Sequence, residues 1–367
     1  MRRFLFAGLL MLLALVSCKP KVSSGRDTIL LVKSIAADTD GEEHSLLAGF
    51  SKVPASGDIY IIGGPRECSL ISERFLDCDV RENARGREWE DGLKDFAGET
   101  FASICDASFT PYAVFAGKYG RDTLRELSVR LALSALSPKC SVSIYDLDGN
   151  HAKTPAKIII LADPWLLECG KFDIDTLFSL TSCKVPVLSP QDLLLEAALG
   201  GPKKYFNTGI ICDSCHISSG IYPTLFAAKA RQYDVLGARC FTAASRSGGN
   251  VLAGFLDDYM LAGNSEPIDA LLVDDWSLEI GELEKEIQSI RDFNREEYMR
   301  YGKLLSPEFK LISSSSITMA GCYGLLRELK LFTNRIAQPS ACTYVVKPRP
   351  DADDAQFLLI PSENVQD

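Results

Sequence analysis

The 367-residue chain has few of the residues and motifs from which most catalytic and metal sites are built. It contains only three histidines, His44, His151 and His216, so few histidines are available for a zinc site or a serine–histidine triad. It also lacks G-x-S-x-G, a Walker loop, G-x-G-x-x-G and H-E-x-x-H. These absences predict a protein with no enzymatic activity, no catalytic residue, no metal and no cofactor.

Beyond the N-terminus the chain also lacks any apolar run long enough for a transmembrane helix. Its formal net charge is −10, and loss of a leader containing Arg2 and Arg3 makes it −12. Such an acidic balance disfavours nucleic acid as a partner. The apolar content of 46% is ordinary for a globular core.

The N-terminus is the one long apolar segment. Two arginines precede thirteen apolar or small residues, Phe4 to Val16, a length typical of a secretory signal rather than a membrane span. Leu15-Val-Ser-Cys18 then resembles the bacterial lipobox. The resemblance implies cleavage before Cys18, lipidation of its thiol, and a lipid-anchored protein of the bacterial cell envelope that faces the periplasm or the outside. The alternative is an ordinary signal peptide followed by a chance cysteine.

Cysteine is abundant, with twelve in the chain. Setting Cys18 aside leaves eleven, an odd number that leaves at least one thiol unpaired. Several, such as Cys183, Cys212 and Cys240, lie in apolar segments where a cysteine behaves as a small hydrophobic residue. We therefore expect mostly free, buried thiols and at most a few disulfides.

The middle of the chain is a series of short apolar runs separated by segments with helical periodicity. The runs cover 156–163, 184–189, 208–213, 238–245 and 269–275. This alternation is typical of βαβ units and of a parallel sheet covered on both faces. Further strands are predicted at 28–33, 58–64, 111–117, 141–146, 310–316, 343–346 and 357–360. Helices are predicted at 87–101, 122–136, 250–262, 282–301 and 317–331.

The order of these runs, AKIIILADP, CKVPVLSP, NTGIICD, ARCFTAAS and IDALLVDD, resembles that of type I periplasmic binding proteins. Sugar-repressor ligand domains and the basic-membrane-protein lipoproteins share that fold. The resemblance implies an α/β protein with two lobes, each a doubly wound parallel sheet. It divides the chain into a signal peptide (1–17), a lipidated cysteine and tether (18–27), an N-terminal lobe (28–205), a C-terminal lobe (206–335) and terminal strands that return across the hinge (336–367).

Candidate ligand-binding residues follow the predicted strands, because ligands of parallel sheets bind beyond the carboxyl ends. They are Asp163, Trp165, Asp213, Ser214, His216, Arg246, Ser247, Asp274, Asp275 and Trp276. The turn around Arg246 could present a guanidinium and backbone N–H groups to an anion or a hydroxyl, or be a plain surface turn. A carboxylate beside an indole could hold a sugar or a cation, or cap a helix above a core tryptophan.

Cys212-Asp-Ser-Cys-His216 has the spacing of a c-type haem attachment site. The same pair could be a thiol–disulfide site whose thiol pKa is lowered by a helix N-terminus. We interpret this segment as a loop at the end of a strand. In this interpretation Cys212 belongs to the core, and Asp213, Ser214 and His216 face a cleft.

Together these features predict a lipid-anchored solute-binding protein of the envelope. Two lobes would close on a small polar ligand, such as a sugar, a nucleoside or an amino acid, by hinge motion. Its expected partners are a membrane permease or another envelope protein, the membrane through the lipid, and no nucleic acid. The alternatives are a redox or haem lipoprotein centred on Cys212, Cys215 and His216, and an envelope scaffold with the same fold.

Overall fold

The computed structural model describes residues 26–82, 86–245, 250–352 and 355–365. The described chain forms two compact units, one made of Asp27–Pro190 with Leu325–Asp367 and one of Gln191–Gly324. Both are α/β, and nearly all strand pairs are parallel. The predicted α/β class with parallel sheets is confirmed. No helix in the described ranges is both long enough and apolar enough to cross a bilayer.

The first unit is built on a six-stranded sheet. The six strands are β1 Asp58–Gly63, β2 Thr100–Cys105, β5 Ala156–Leu161, β6 Val187–Leu188, β11 Ser340–Pro348 and β12 Phe357–Pro361. Strands β11 and β12 follow the second unit in the chain. Two further strands, β3 Lys139–Cys140 and β4 His151–Ala152, form a separate small hairpin. The order in the sheet is β12-β11-β2-β1-β5-β6, and only β11 and β12 run antiparallel. Every residue of β1 and β5 is buried, which explains their unbroken apolar runs.

Helices cover this sheet. They are α1 Leu30–Ala37, α2 Glu42–Gly49, α3 Pro65–Asp77, α4 Tyr112–Tyr119, α5 Arg121–Leu136, a π-helical turn Leu166–Gly170, and α6 Lys171–Leu180. A buried ion pair adds to the packing: Lys157 Nζ lies 2.5 Å from Glu99 and donates to the carbonyl oxygens of Ala55 and Leu331 at 2.9 and 2.8 Å. These contacts join the start of β5 to the residues before β2 and to the chain returning toward β11.

The second unit is a four-stranded sheet in the order β10-β9-β7-β8, all parallel. Its strands are β7 Asn207–Cys212, β8 Arg239–Ala244, β9 Ile268–Asp274 and β10 Leu305–Ser313. Its helices are α7 Pro190–Leu199, α8 Ser214–Ser219, α9 Ile221–Gln232, α10 Val251–Leu261, α11 Ile280–Arg291, α12 Glu296–Tyr301 and α13 Ser314–Glu328, the last continuing into the other unit.

Four predicted elements are wrong, and all lie before residue 156. The predicted strands at 28–33 and 111–117 fall in α1 and α4, where Val32 with Ile35 and Tyr112 with Phe115 are buried three residues apart. The predicted helix at 87–101 is loop followed by the start of β2. The predicted strand at 141–146 is a turn whose Asp146 carboxylate accepts from the Val142 and Gly149 amides at 2.9 and 3.2 Å.

The cysteines agree with the prediction of mostly free thiols. None of the eleven between Cys68 and Cys342 forms a disulfide within the described chain, and seven of them are buried. Cys18 lies outside the described residues.

Candidate active site

Most predicted ligand residues of the second unit lie at the carboxyl edge of the four-stranded sheet. The register pairs Cys212 of β7 with Asp274 of β9, and Val273 of β9 with Ser313 of β10. The residues that follow these three strands therefore start from the same edge. As a ligand-contacting set they remain a prediction.

Asp213 and its neighbours form a helix start at this edge. Asp213 Oδ1 accepts from the Cys215 amide at 3.0 Å, so Asp213 is the N-cap of α8. Ser214 begins that helix, and its hydroxyl lies 3.4 Å from Asp213 Oδ1. His216 is buried, with its ring 6.2 Å from the ring of Tyr222.

Asp275 and Trp276 follow β9. Asp275 Oδ1 accepts from the amide and the hydroxyl of Ser277 at 2.9 and 2.6 Å. The Trp276 side chain is buried. These hydrogen bonds place Asp275 in a tight turn after β9.

Asp274 is the most unusual carboxylate of this edge. Its Oδ2 accepts from Gln191 Nε2 at 2.9 Å and from the Tyr222 hydroxyl. Its Oδ1 is buried and has no hydrogen-bond partner within the described chain. A buried acceptor without a hydrogen bond lowers the stability of a fold, so a hydrogen bond from a donor to Asp274 Oδ1 would be favourable.

Two hydroxyls that sequence reasoning missed stand one helical turn apart on α13. Ser314 Oγ and Thr318 Oγ1 are both buried and, within the described chain, have no hydrogen-bond partner. The run of four serines from Ser313 to Ser316 was a visible signal, but the sequence analysis included it in a strand predicted at 310–316 instead of a helix start. Arg246 and Ser247 lie outside the described residues.

Asp163 and Trp165 belong to the other unit, where they follow β5. Asp163 is buried, and its Oδ1 accepts from the Trp165 amide at 2.7 Å. The Trp165 ring is half-buried, with the Arg121 guanidinium 5.6 Å from its centroid. The residues selected from the sequence therefore lie at the carboxyl edges of both sheets.

The haem and thiol–disulfide interpretations of Cys212-Asp-Ser-Cys-His216 are wrong. Cys212 is fully buried, and burial raises the pKa of its thiol far above the usual range. Cys215 is exposed on α8, so the two thiols do not present one accessible pair. Across the described ranges, no cluster of three or more His, Cys, Asp or Glu side chains is placed to hold a metal ion.

A second group of polar residues, missed by the sequence analysis, lies at the carboxyl end of β2. Cys105 ends this strand and is half-buried. Cys68, fully buried on α3, lies beside it and can donate its S–H to Cys105 or to the carbonyl oxygens of Ile61 and Ile104, 3.7 and 3.6 Å away. The hydrogen bond from Cys68 lowers the pKa of Cys105, against burial and the charges of Asp106 and Glu67, which raise it.

Asp106 follows Cys105 and is completely buried. Burial raises its pKa to about 6, although the amides of Phe109 and Ser108 donate to its Oδ1 at 2.9 and 3.1 Å. The hydroxyl of Tyr112 is near enough to favour the ionised form. The geometry between the two is not that of a regular hydrogen bond, and within the described chain neither that hydroxyl nor Asp106 Oδ2 has another partner.

This second group can supply a thiolate. A thiol whose pKa is lowered ionises at a lower pH, so it is better suited to act as a base or nucleophile than a buried thiol of raised pKa. The other half-buried thiols, Cys240 and Cys342, have pKa values raised by burial to about 12 and about 11.

No protein-family model matches the chain, and no curated protein matches it. Among solved structures, a glutamate racemase from Francisella tularensis, in complex with D-glutamate, aligns with a TM-score of 0.47 and 15% identity, over 80% of this chain and 89% of that one. Glutamate racemase isoform RacE1 from Bacillus anthracis aligns at 0.46 and 14%, over 80% and 89%. An aspartate racemase homologue from Pyrococcus horikoshii aligns at 0.37 and 14%, over 75% and 99%.

These neighbours correct several predictions from the sequence. They are amino-acid racemases or homologues of one, so the resemblance to type I periplasmic binding proteins is wrong. They also contradict four further predictions, namely solute capture, transport, a permease or scaffold partner, and the absence of enzymatic activity. The physical reason is that strand spacing and turn residues are shared by many doubly wound folds. With TM-scores below 0.5, the matches assign no reaction to this chain.

Proposed function

We propose that the chain is an enzyme in which the Cys105 thiolate removes a proton from a small polar substrate. The observation that supports this most is a half-buried thiol of lowered pKa at the carboxyl end of a central parallel strand. Ligands of such sheets bind at that edge.

The proton transfer follows from the groups that are present. A C–H bond next to a carboxylate or carbonyl breaks, its proton forms the S–H bond of Cys105, and the electron pair moves to the substrate oxygen. When the proton or a solvent proton returns, the substrate is restored. One base is enough for exchange of that hydrogen with solvent, whereas inversion of the carbon also requires an acid on its other face.

Asp106 acts through Cys105 as a positioning residue. It is buried, and its negative charge raises the pKa of the thiol. The Cys68 hydrogen bond lowers that pKa. The balance of these two neighbours sets the fraction of thiolate at a given pH.

Exchange of the α-hydrogen tests the proposal. The full chain is incubated in D₂O with L- and D-amino acids, and exchange is followed by proton NMR. Glutamate and aspartate are tried first, because the neighbours described above are glutamate racemases and a homologue of an aspartate racemase. We expect catalysed exchange with at least one amino acid and a loss of about 100-fold or more in Cys105→Ser, the range for removal of a general base.

Cys240→Ser is the matched control, because Cys240 is also half-buried but has a raised pKa. It should exchange at the wild-type rate. The proposal fails if no amino acid exchanges faster than in buffer, or if Cys105→Ser is as active as the wild type.

A further inference from the structure

The thiols of Cys68 and Cys105 lie side by side in the first unit. Cys68 Sγ is 3.6 Å from the carbonyl oxygen of Ile104 and 3.7 Å from that of Ile61. Its S–H can also donate to Cys105, the residue that follows Ile104 at the end of β2. The sulfur atoms of a disulfide are about 2 Å apart, so two thiols in hydrogen-bonding contact need only a small movement to form one.

The backbone fixes both cysteines at the same end of β1. Gly63, the last residue of β1, pairs with Cys105 of the neighbouring strand β2. The chain then enters α3, where the Cys68 amide donates to the Gly64 carbonyl oxygen at 3.0 Å. Both cysteines are therefore anchored within about one helical turn of the end of β1. Their proximity follows from the arrangement of β1, β2 and α3.

The two thiols differ in exposure and in acidity. Cys105 is half-buried, whereas Cys68 is completely buried. The hydrogen bond between them lowers the pKa of Cys105, and the same bond together with burial holds the pKa of Cys68 well above its usual range. Oxidants react with thiolates that solvent can reach, so Cys105 is the thiol that meets an oxidant first. An accessible, acidic cysteine beside a second thiol is the usual arrangement of cysteines that respond to oxidation.

We propose that Cys105 is a site of reversible oxidation by hydroperoxides and that Cys68 is its resolving thiol. The Cys105 thiolate attacks an oxygen of the hydroperoxide, the O–O bond breaks, and Cys105 becomes a sulfenic acid. The oxygen that leaves takes a proton from solvent, which gives an alcohol or water. The Cys68 sulfur then attacks the Cys105 sulfur, the S–O bond breaks, and the departing hydroxide takes the Cys68 proton as water. The two thiols together lose the two electrons that the hydroperoxide gains.

The Cys68–Cys105 disulfide forms whether or not the chain catalyses the proposed proton transfer. Its consequence for activity rests on that proposed function. A sulfur in a disulfide has no thiolate to accept a proton, so oxidation removes the base and stops the reaction. A dithiol restores both thiols by thiol–disulfide exchange, and the base returns with them.

Peptide mapping by mass spectrometry tests the oxidation in the absence of substrate. The full chain is treated with hydrogen peroxide, its remaining thiols are blocked with N-ethylmaleimide, and it is digested with trypsin without reduction. Cleavage after lysine and arginine leaves Cys68, Cys78 and Cys105 on separate peptides, 67–74, 75–81 and 95–118. We expect the peptides of Cys68 and Cys105 to be joined with the loss of two hydrogens, and dithiothreitol to separate them.

Cys68→Ser should leave Cys105 as a sulfenic acid that dimedone labels, because no resolving thiol remains. Cys78→Ser is the matched control, since Cys78 is also a buried thiol of this unit but donates to Asp95 at 3.3 Å. It should form the same disulfide as the wild type.

The inference is overturned if peroxide does not join Cys68 to Cys105 in the wild type, or if Cys105 is oxidised beyond the sulfenic acid while Cys68 stays reduced. Equal labelling of Cys105 by dimedone in the wild type and in Cys68→Ser would also overturn it. Formation of the disulfide in a chain that exchanges no amino acid would support the oxidation site and contradict only the proposed reaction.

Discussion

Cys105 and Asp106 are adjacent residues, yet their surroundings drive their proton affinities in opposite directions. The Cys68 hydrogen bond lowers the pKa of the Cys105 thiol, while burial raises the pKa of the Asp106 carboxyl to about 6. Pairs of titratable groups that diverge in this way are characteristic of sites that move protons. The sequence could not reveal this pair, because Thr100 and Phe101 had been assigned to the end of a predicted helix and the end of β2 went unrecognised.

Asp106 should make the protein less stable as pH rises. Its folded pKa of about 6 is above the ordinary value of 3.8, so the unfolded chain releases this proton first and stability falls between about pH 4 and pH 6. Asp106→Asn keeps an oxygen for the two loop amides and removes the charge. Urea unfolding should show Asp106→Asn to be more stable than the wild type at pH 8, by about 1 to 3 kcal/mol.

At pH 4 the difference between Asp106→Asn and the wild type should nearly vanish. The opposite pattern, with Asp106→Asn destabilised at pH 8, would mean that the ionised carboxylate stabilises the fold.

At the scale of elements, the sequence predicted the strands that are buried on both faces, but it could not distinguish such strands from short buried helices. The runs at 58–64, 156–163 and 208–213 are β1, β5 and β7, in which every residue is buried. A run such as 111–117 is equally apolar but forms α4, because a short buried helix and a buried strand look the same in sequence. Contacts from elsewhere in the chain decide between them.

The Lys157–Glu99 pair shows how such contacts hold elements together. Both side chains are fully buried, and Glu99 Oε1 also accepts from the Thr333 amide at 2.8 Å. Lys157→Met should lower the free energy of unfolding by about 3 to 5 kcal/mol, because it leaves a buried carboxylate without its cation. Urea denaturation measures this loss.

The double variant Lys157→Met with Glu99→Gln should lose less than the sum of the two single variants. Lys285→Met breaks the exposed pair with Glu282 and should change stability by less than about 1 kcal/mol. Strict additivity in the buried pair would show that Lys157 and Glu99 do not depend on each other.

At the scale of the whole molecule, the order of the strands within each sheet defines the fold, and this order cannot be read from the spacing of strands along the chain. In the first unit β2 lies between β1 and β11, and β11 arrives from more than 200 residues later in the chain. Strand spacing alone fitted a periplasmic binding protein equally well. This explains how the α/β class was predicted correctly while the family and the function were not.

Location in the cell envelope stays a prediction, because the N-terminal segment lies outside the described residues. We expect the full chain, expressed in a bacterium, to incorporate a labelled palmitate analogue at Cys18. Cys18→Ser should lose the label, and Cys215→Ser, which removes an exposed thiol, should keep it. Label that persists in Cys18→Ser would rule out lipidation at this thiol.

The pH dependence of Cys105 alkylation by iodoacetamide, followed site by site with mass spectrometry, tests the central claim most directly. In the wild type Cys105 should react faster at neutral pH than Cys240. Cys68→Ala should raise the pH of half-maximal reactivity at Cys105 by about 1 to 2 units, the equivalent of a lost hydrogen bond to a charged acceptor. Cys68→Ser, which keeps a donor, should stay near the wild type. If Cys105 is no more reactive than Cys240, or if Cys68→Ala leaves its profile unchanged, Cys105 is not a stabilised thiolate and the proposed reaction has no base.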